Sequence, residues 1–225
     1  MALYIDSAYI PEISKVADTI PVAGITTNPT ILLAARDRGQ TLSSLQLLRE
    51  LLRTFVGSIF MQQGEVDAEK MLQQATSFLE TDKDRVIAKI PMTKSGMQVG
   101  RRLKQDKYHV AFTAVTSVAQ AYSAAMCQAD FIIPYFNRLE RSGIDATERI
   151  AEMAELFHNQ KLPTRILVAS IKTPQEAVAA LAAGAHDITA VPQVLLDMVT
   201  DPLTEEAIEK FSSDWQTLTR RQHEA

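Results

Sequence analysis

Short apolar runs return along this chain about every 28 residues, and longer helical patterns separate most of them. They occupy 3–6, 24–27, 58–62, 86–91, 110–114, 131–135, 166–170 and 188–191. Several are apolar almost throughout, among them Val86-Ile87-Ala88 and Phe131-Ile132-Ile133, the pattern of parallel strands buried on both faces. Segments 67–80 and 174–183, between such runs, carry amphipathic helical spacing. Strand then helix, eight times over, predicts an α/β protein: a (β/α)8 TIM barrel forming one domain over 1–225. A doubly wound open sheet is the competing architecture, because periodicity alone does not close a barrel. After the last run, 193–200 predicts a helix, and an extra C-terminal helix is expected over 203–221, with Thr204 ahead of Glu205 and Glu206 at its start. Ile208, Phe211, Trp215 and Leu218 fall on one face of it. That face packs either on its own barrel or on a neighbouring subunit.

Composition narrows the function. Twenty-seven acidic against 23 basic residues leave a net charge of −4, without the basic excess of a general nucleic-acid binder. The one cysteine, Cys127, has no internal partner for a disulfide and reads as a small core residue. Asp6, Glu12 and Lys15 break the apolar start as no signal peptide would, and no apolar run approaches the about 18 residues that cross a bilayer. A cytoplasmic protein with neither a membrane nor a nucleic-acid partner is the expectation. His109, His158, His186 and His223 show no HxH or HExxH spacing, and neither GxGxxG nor GxxxxGK[ST] occurs. No metal or dinucleotide site is expected.

In a barrel, chemistry gathers at the C-terminal ends of the strands. The polar residues there are Asp6, Thr26, Thr27, Asn28, Gln62, Lys89, Thr113, Tyr135, Asn137, Arg138, Ser170 and Lys172, with none from the last strand. Lys89 is the most informative, since it interrupts Val86-Ile87-Ala88-Lys89-Ile90-Pro91, a run that otherwise belongs in a core. An ammonium withheld from water gives up its proton more readily, and a neutral amine is what attack on a carbonyl requires. Taken alone, each of these residues has a structural explanation. Lys89 would sit on an edge strand or in an ion pair, Asp6 would cap a helix, and Asn28-Pro29 would open a turn. Tyr135 would be a core residue with a satisfied hydroxyl. Together, a lysine ringed by carboxylate, amide and hydroxyl groups points to Schiff-base chemistry. Arg138, Ser170 and Lys172 at the late strand ends suit a bound anion.

The segments Leu3-Tyr4-Ile5-Asp6, Gly24-Ile25-Thr26-Thr27-Asn28-Pro29 and Ala88-Lys89-Ile90-Pro91-Met92-Thr93 resemble the most specific segments of the transaldolase family. Thr113-Ala114, Pro134-Tyr135-Phe136-Asn137-Arg138, Ala169-Ser170-Ile171-Lys172-Thr173-Pro174 and the late Phe211…Asp214-Trp215 continue the match in order, over essentially the whole chain. Within that family the chain looks like the short subgroup that includes fructose-6-phosphate aldolase. The resemblance implies a (β/α)8 barrel with the Schiff-base lysine on the fourth strand, where Lys89 falls. It implies dihydroxyacetone-unit chemistry with no metal and no organic cofactor, and a homo-oligomer, pentamer or decamer, in which the C-terminal helix reaches a neighbour.

The same resemblance implies roles. Lys89 attacks C2 of a ketose phosphate, while Asp6 and Asn28, with Thr27 beside them, bind donor hydroxyls, and Asp6 also moves a proton. Thr113 and Gln62 pass protons through a water, and Tyr135 acts as acid/base. Arg138, Ser170 and Lys172, with Asn137, hold the terminal anion. Transaldolases resemble one another in a glutamate on the third strand and a phenylalanine on the sixth, whereas Gln62 and Tyr135 stand here, as in the aldolase. Two departures leave alternatives open. Glu65 follows Gln62 closely enough to be another acid/base, and Glu140-Arg141 shorten the loop that would shape the anion end. Three functions stay in view: a ketose 6-phosphate aldolase, a transaldolase acting on the phosphate or on a 6-sulfonate sugar, and a barrel that binds sugar phosphates without turnover.

Overall fold

The structure, a computed structural model, describes residues 1–223. Its eight strands are β1 (Ala2–Asp6), β2 (Gly24–Thr26), β3 (Ser58–Gln62), β4 (Val86–Pro91), β5 (Val110–Val115), β6 (Phe131–Pro134), β7 (Arg165–Ile171) and β8 (Asp187–Ala190). They pair in chain order, all parallel, and β8 returns to β1, so the sheet is a closed barrel and the open-sheet alternative falls. The helices before β5 are α1 (Ile10–Thr19), α2 (Pro29–Asp37), α3 (Ser44–Thr54), α4 (Ala68–Leu79) and α5 (Lys94–Gln105). Those after it are α6 (Val118–Met126), α7 (Phe136–Arg141), α8 (Ala146–Asn159), α9 (Pro174–Ala182), α10 (Pro192–Asp197) and α11 (Pro202–His223). No described helix is long and apolar enough to cross a membrane.

Side-chain parity divides the barrel. On β4, Val86, Ala88 and Ile90 join the core beneath the helices, while Ile87 joins the cluster inside the barrel and Lys89 shares its face. That interior cluster centres on Tyr4, Phe60 and Phe131, whose rings meet edge-on with centroids 5.1 to 6.5 Å apart. At one point the packing leaves no room for a side chain: a Cβ on Gly96 of α5 would overlap the Pro91 carbonyl, so the helix seats directly on the end of β4.

The strands differ from expectation by a residue or two at their ends. β2 stops at Thr26, although the Thr27 amide still donates to the Phe60 carbonyl. β6 stops at Pro134, and Tyr135 continues only as an isolated bridge to Ala169. The helix expected over 193–200 is α10, which starts one residue earlier on Pro192 and ends at Asp197. α11 begins two residues before Thr204, because Asp201 Oδ1 accepts the Leu203 amide and Pro202 needs no amide partner in the first turn.

α11 does not lay its apolar face on its own barrel. Phe211 is 62% exposed and Trp215 69%, and from Pro202 to Gln222 every residue of the helix is at least partly exposed.

The opposite, N-terminal mouth of the barrel is held by charge. Arg165 donates to both oxygens of Asp187, at 2.8 and 2.7 Å, and the Asp187 side chain is fully buried. Burial, and behind it the Asp187 charge, pushes the nearby Tyr4 hydroxyl up to about 12 against the opposing pull of Arg165. Removing Arg165 would strand a carboxylate in the core. Arg165→Met is expected to cost about 3 kcal/mol of stability, measured by urea denaturation. Loss below about 1 kcal/mol would mean that water reaches Asp187 and replaces the guanidinium.

Candidate active site

At the C-terminal mouth a cavity of about 470 Å³ is lined by Asp6, Asn28, Gln62, Lys89, Thr113, Tyr135, Arg138, Ser170 and Lys172, together with Ala114, Ala169, Pro91 and several apolar neighbours. Residues spread over almost the whole chain meet there because every strand ends at the same rim. Lys89 is 1% exposed. Its Nζ donates to the Thr27 carbonyl at 3.2 Å and lies 6.0 Å from the centre of the Tyr135 ring. The Tyr135 hydroxyl bonds Thr113 Oγ1 at 2.8 Å, and the Arg138 guanidinium lies over the other polar feature of that residue, its ring, at 4.8 Å.

Asp6 accepts the Thr26 hydroxyl at 2.6 Å. Burial raises its carboxyl above the ordinary range, while Lys89, the Thr26 hydroxyl and Lys172 pull it back down. The lining holds three basic groups, Lys89, Arg138 and Lys172, against the single carboxylate of Asp6, so its field favours an anion. Where the sequence suggested a turn, Asn28 caps α2, its Oδ1 accepting the Ile31 amide at 2.9 Å, and the residue also lines the cavity.

Two expected site residues stand apart. Thr27 turns its hydroxyl away, to the Phe60 carbonyl at 2.9 Å, and faces the cavity only through the carbonyl that holds Lys89. It is one position past the inward-facing Thr26, so parity sends its side chain outward. Asn137 reaches Glu176 Oε1 at 3.5 Å and does not line the cavity. Neither of the two departures near the site puts a side chain in the cavity wall. Glu65 is exposed and off the cavity, and Glu140 Oε1 accepts the Ala146 amide at 2.7 Å, at the start of α8.

Ala114 and Ala169 line the cavity without having been expected there, beside Ser170, which was. Ala114 and Ser170 both adopt left-handed backbone, with φ of 59° and 60°, where the pairing register slips on β5 and on β7. Each is a bulge, so two successive residues, Thr113-Ala114 and Ala169-Ser170, face the cavity before Val115 and Ile171 return to the outer core. Neither position is glycine, so no residue type announced the turn. β8, from which no polar group was expected, supplies Thr189, fully buried beside Thr26. Strand parity counted from the outward Ile188 would have found it.

Among the described residues no three His, Cys, Asp or Glu side chains are placed to hold a metal ion. The sequence pattern of one family, described as transaldolase/fructose-6-phosphate aldolase, matches residues 3–224. The chain belongs to that family. It is 35% identical over 221 residues to a probable transaldolase of Symbiobacterium thermophilum, covering 98% of this chain and 100% of that one. It is 34% identical over 217 residues to a probable fructose-6-phosphate aldolase of Streptococcus pneumoniae, covering 96% of each. In structure it is similar to the inosine 5′ monophosphate dehydrogenase of Legionella pneumophila, with a TM-score of 0.59 and 16% identity over 87% of this chain and 59% of that one. That likeness speaks for the barrel alone. Membership makes this family member an enzyme of the aldolase/transaldolase type, which works through a Schiff base.

Because Lys89 faces Asp6 and lowers its carboxyl pKa, Lys89→Met should raise it further. A carboxyl-carbon NMR titration of Asp6 should show the wild type above the ordinary aspartate range and the variant higher still. A fall in the variant would place the Lys89 charge away from Asp6.

Proposed function

We propose that this chain cleaves the C3–C4 bond of a ketose 6-phosphate, fructose 6-phosphate or a close relative, to dihydroxyacetone and an aldehyde phosphate. The observation that carries the reading is Lys89, 1% exposed at the base of a cation-rich cavity, with its amine held by one carbonyl oxygen. Lys89 Nζ, as the neutral amine, adds to C2, and the carbinolamine loses water to leave an iminium. Asp6 takes the proton of the C4 hydroxyl. The C3–C4 electron pair then flows to the iminium, so the aldehyde leaves and a dihydroxyacetone enamine stays on Lys89. The Tyr135 hydroxyl, hydrogen-bonded to Thr113, gives a proton to C3, and the proton taken up by Asp6 passes back to Tyr135 through water. Water, oriented with the help of Gln62, hydrolyses the new iminium and frees dihydroxyacetone and Lys89. Asn28 binds donor hydroxyls. Arg138, Ser170 and Lys172 hold the terminal anion, which fixes C4 over Asp6. No metal and no organic cofactor take part.

A second reading keeps the enamine waiting for an acceptor aldehyde such as glyceraldehyde 3-phosphate. A relative of 35% identity named a probable transaldolase favours it. The same cations would take a 6-sulfonate ketose as the donor of that transfer, since a sulfonate also presents oxygens to guanidinium, hydroxyl and ammonium donors.

Fructose 6-phosphate supplied without an acceptor separates the readings. Sustained release of free dihydroxyacetone is expected, and Lys89→Met should lower it by about a thousandfold or more and abolish the borohydride-trapped adduct. At most one equivalent, with the adduct present, would mean transaldolase. Activity that survives Lys89→Met would end the Schiff-base assignment of this residue.

For assembly, we propose a single barrel domain whose arm, 203–221, packs on a neighbouring copy in a pentamer or decamer. The support is the exposed stripe of Ile208, Phe211, Trp215 and Leu218. Ending the chain after Asp201 should lower the mass seen by light scattering, and an unchanged mass would show that the oligomer forms without the arm.

A further inference from the structure

No residue of β8 lines the cavity, yet the strand carries a fully buried threonine. Thr189 Oγ1 lies 2.6 Å from Thr26 Oγ1, which lies 2.6 Å from Asp6 Oδ1. These short contacts join β8, β2 and β1 across the barrel interior into one chain of oxygens that ends on the carboxylate. Both hydroxyls are fully buried, where a polar group is tolerated only with a hydrogen-bond partner, and each has one in this chain.

The direction of the chain follows from counting hydrogens. An ionised carboxylate only accepts, so the single Thr26 hydroxyl hydrogen goes to Asp6. The hydrogen between the two threonines must then come from Thr189. We propose that Thr189 is a positioning residue: by donating to Thr26 it commits the Thr26 hydrogen to Asp6 Oδ1, holding that carboxylate ionised and oriented with Oδ2 left for the donor sugar. Its place in the reaction rests on the role given to Asp6 above. A hydroxyl that accepts a hydrogen bond is a stronger donor, so each link strengthens the next. The chain acts on Asp6 in the same sense as the cations, against the effect of burial.

The charged and titratable groups around Asp6 are Lys89 from β4, Lys172 from the loop after β7, and Arg138 and Tyr135 across the cavity. An adjoining cleft of about 360 Å³ on the far side of Asp6 brings Tyr9, Glu12, Lys15 and Arg38. There Arg38 pairs with Glu12 at 2.7 Å and covers the Tyr9 ring at 4.0 Å. Among the described residues none of these groups hydrogen-bonds Thr189, so the hydrogen-bonded route from Thr189 to Asp6 runs through Thr26.

The test is Thr189→Val, which keeps shape and removes the donor. Asp6, followed by carboxyl-carbon NMR, should titrate about half a pH unit higher, and the acid limb of kcat should move with it. At a pH on that limb kcat should fall about threefold, with KM within about twofold and the borohydride-trapped adduct on Lys89 unchanged. Thr189→Ser should restore both profile and rate. In a Thr26→Val background, Thr189→Val should add no further shift. An Asp6 titration that stays put in Thr189→Val overturns the inference, and so does a lowered melting temperature with no change in that titration. If valine is not accommodated, Thr189→Cys, a weaker donor of similar size, should give a smaller shift in the same direction, and no shift there overturns it too. A shift as expected together with a fully active Asp6→Asn enzyme would uphold the hydroxyl chain and overturn the proton-transfer role of Asp6 instead.

Discussion

Everything at the rim depends on keeping one lysine amine dry. Lys89 points into a closed parallel sheet, where its Nζ has a backbone carbonyl, that of Thr27, as its hydrogen-bond acceptor, and not a carboxylate. A direct ion pair would tie up the amine that has to attack a carbonyl. Asp6 instead exerts its pull from a position occupied by its own partner, Thr26. The barrel makes this arrangement tolerable, because Tyr4, Phe60 and Phe131 seal the interior beneath it and the Arg165–Asp187 pair closes the far end. Stability sits at one mouth and chemistry at the other, the division that this architecture generally shows.

Two bulges widen what the rim can present. A regular strand sends only alternate side chains inward, so each could give one group to the last layer. At Ala114 and Ser170 the backbone turns left-handed and gives two. Each such residue carries a strain of about 1 kcal/mol or more relative to glycine, accepted where the cavity is built. Ser170 thereby joins Arg138 and Lys172 in the lining of the cavity.

Much of this was legible beforehand. Eight apolar runs predicted eight strands, and the polar residues at their ends mark most of the cavity. Lys89 stood out because nothing else polar belongs in Val86-Ile87-Ala88-Lys89-Ile90. Strand parity carries the rest. Thr27 follows an inward residue and so turns outward, while Thr189 follows the outward Ile188 and so turns inward. Asn137 and Glu140 lie close in sequence to the cavity-lining Tyr135 and Arg138, but α7 turns them toward Glu176 and the Ala146 amide. Adjacency along a chain says little where the backbone is helical, since neighbours then point about 100° apart.

The sequence by itself determined the strand-and-helix alternation, the family and the lysine. Those are properties of local pattern: apolar spacing sets element type, and a charge inside an apolar run is visible without coordinates. Only the tertiary structure decided closure, because open and closed sheets share one periodicity and differ in whether β8 meets β1. It likewise decided which hydroxyls share a hydrogen bond, since Thr26 and Thr189 are 163 residues apart in the chain and 2.6 Å apart in the barrel. It also left α11 uncovered, with Phe211 and Trp215 facing water, because an apolar stripe specifies that a helix needs a surface but not which one.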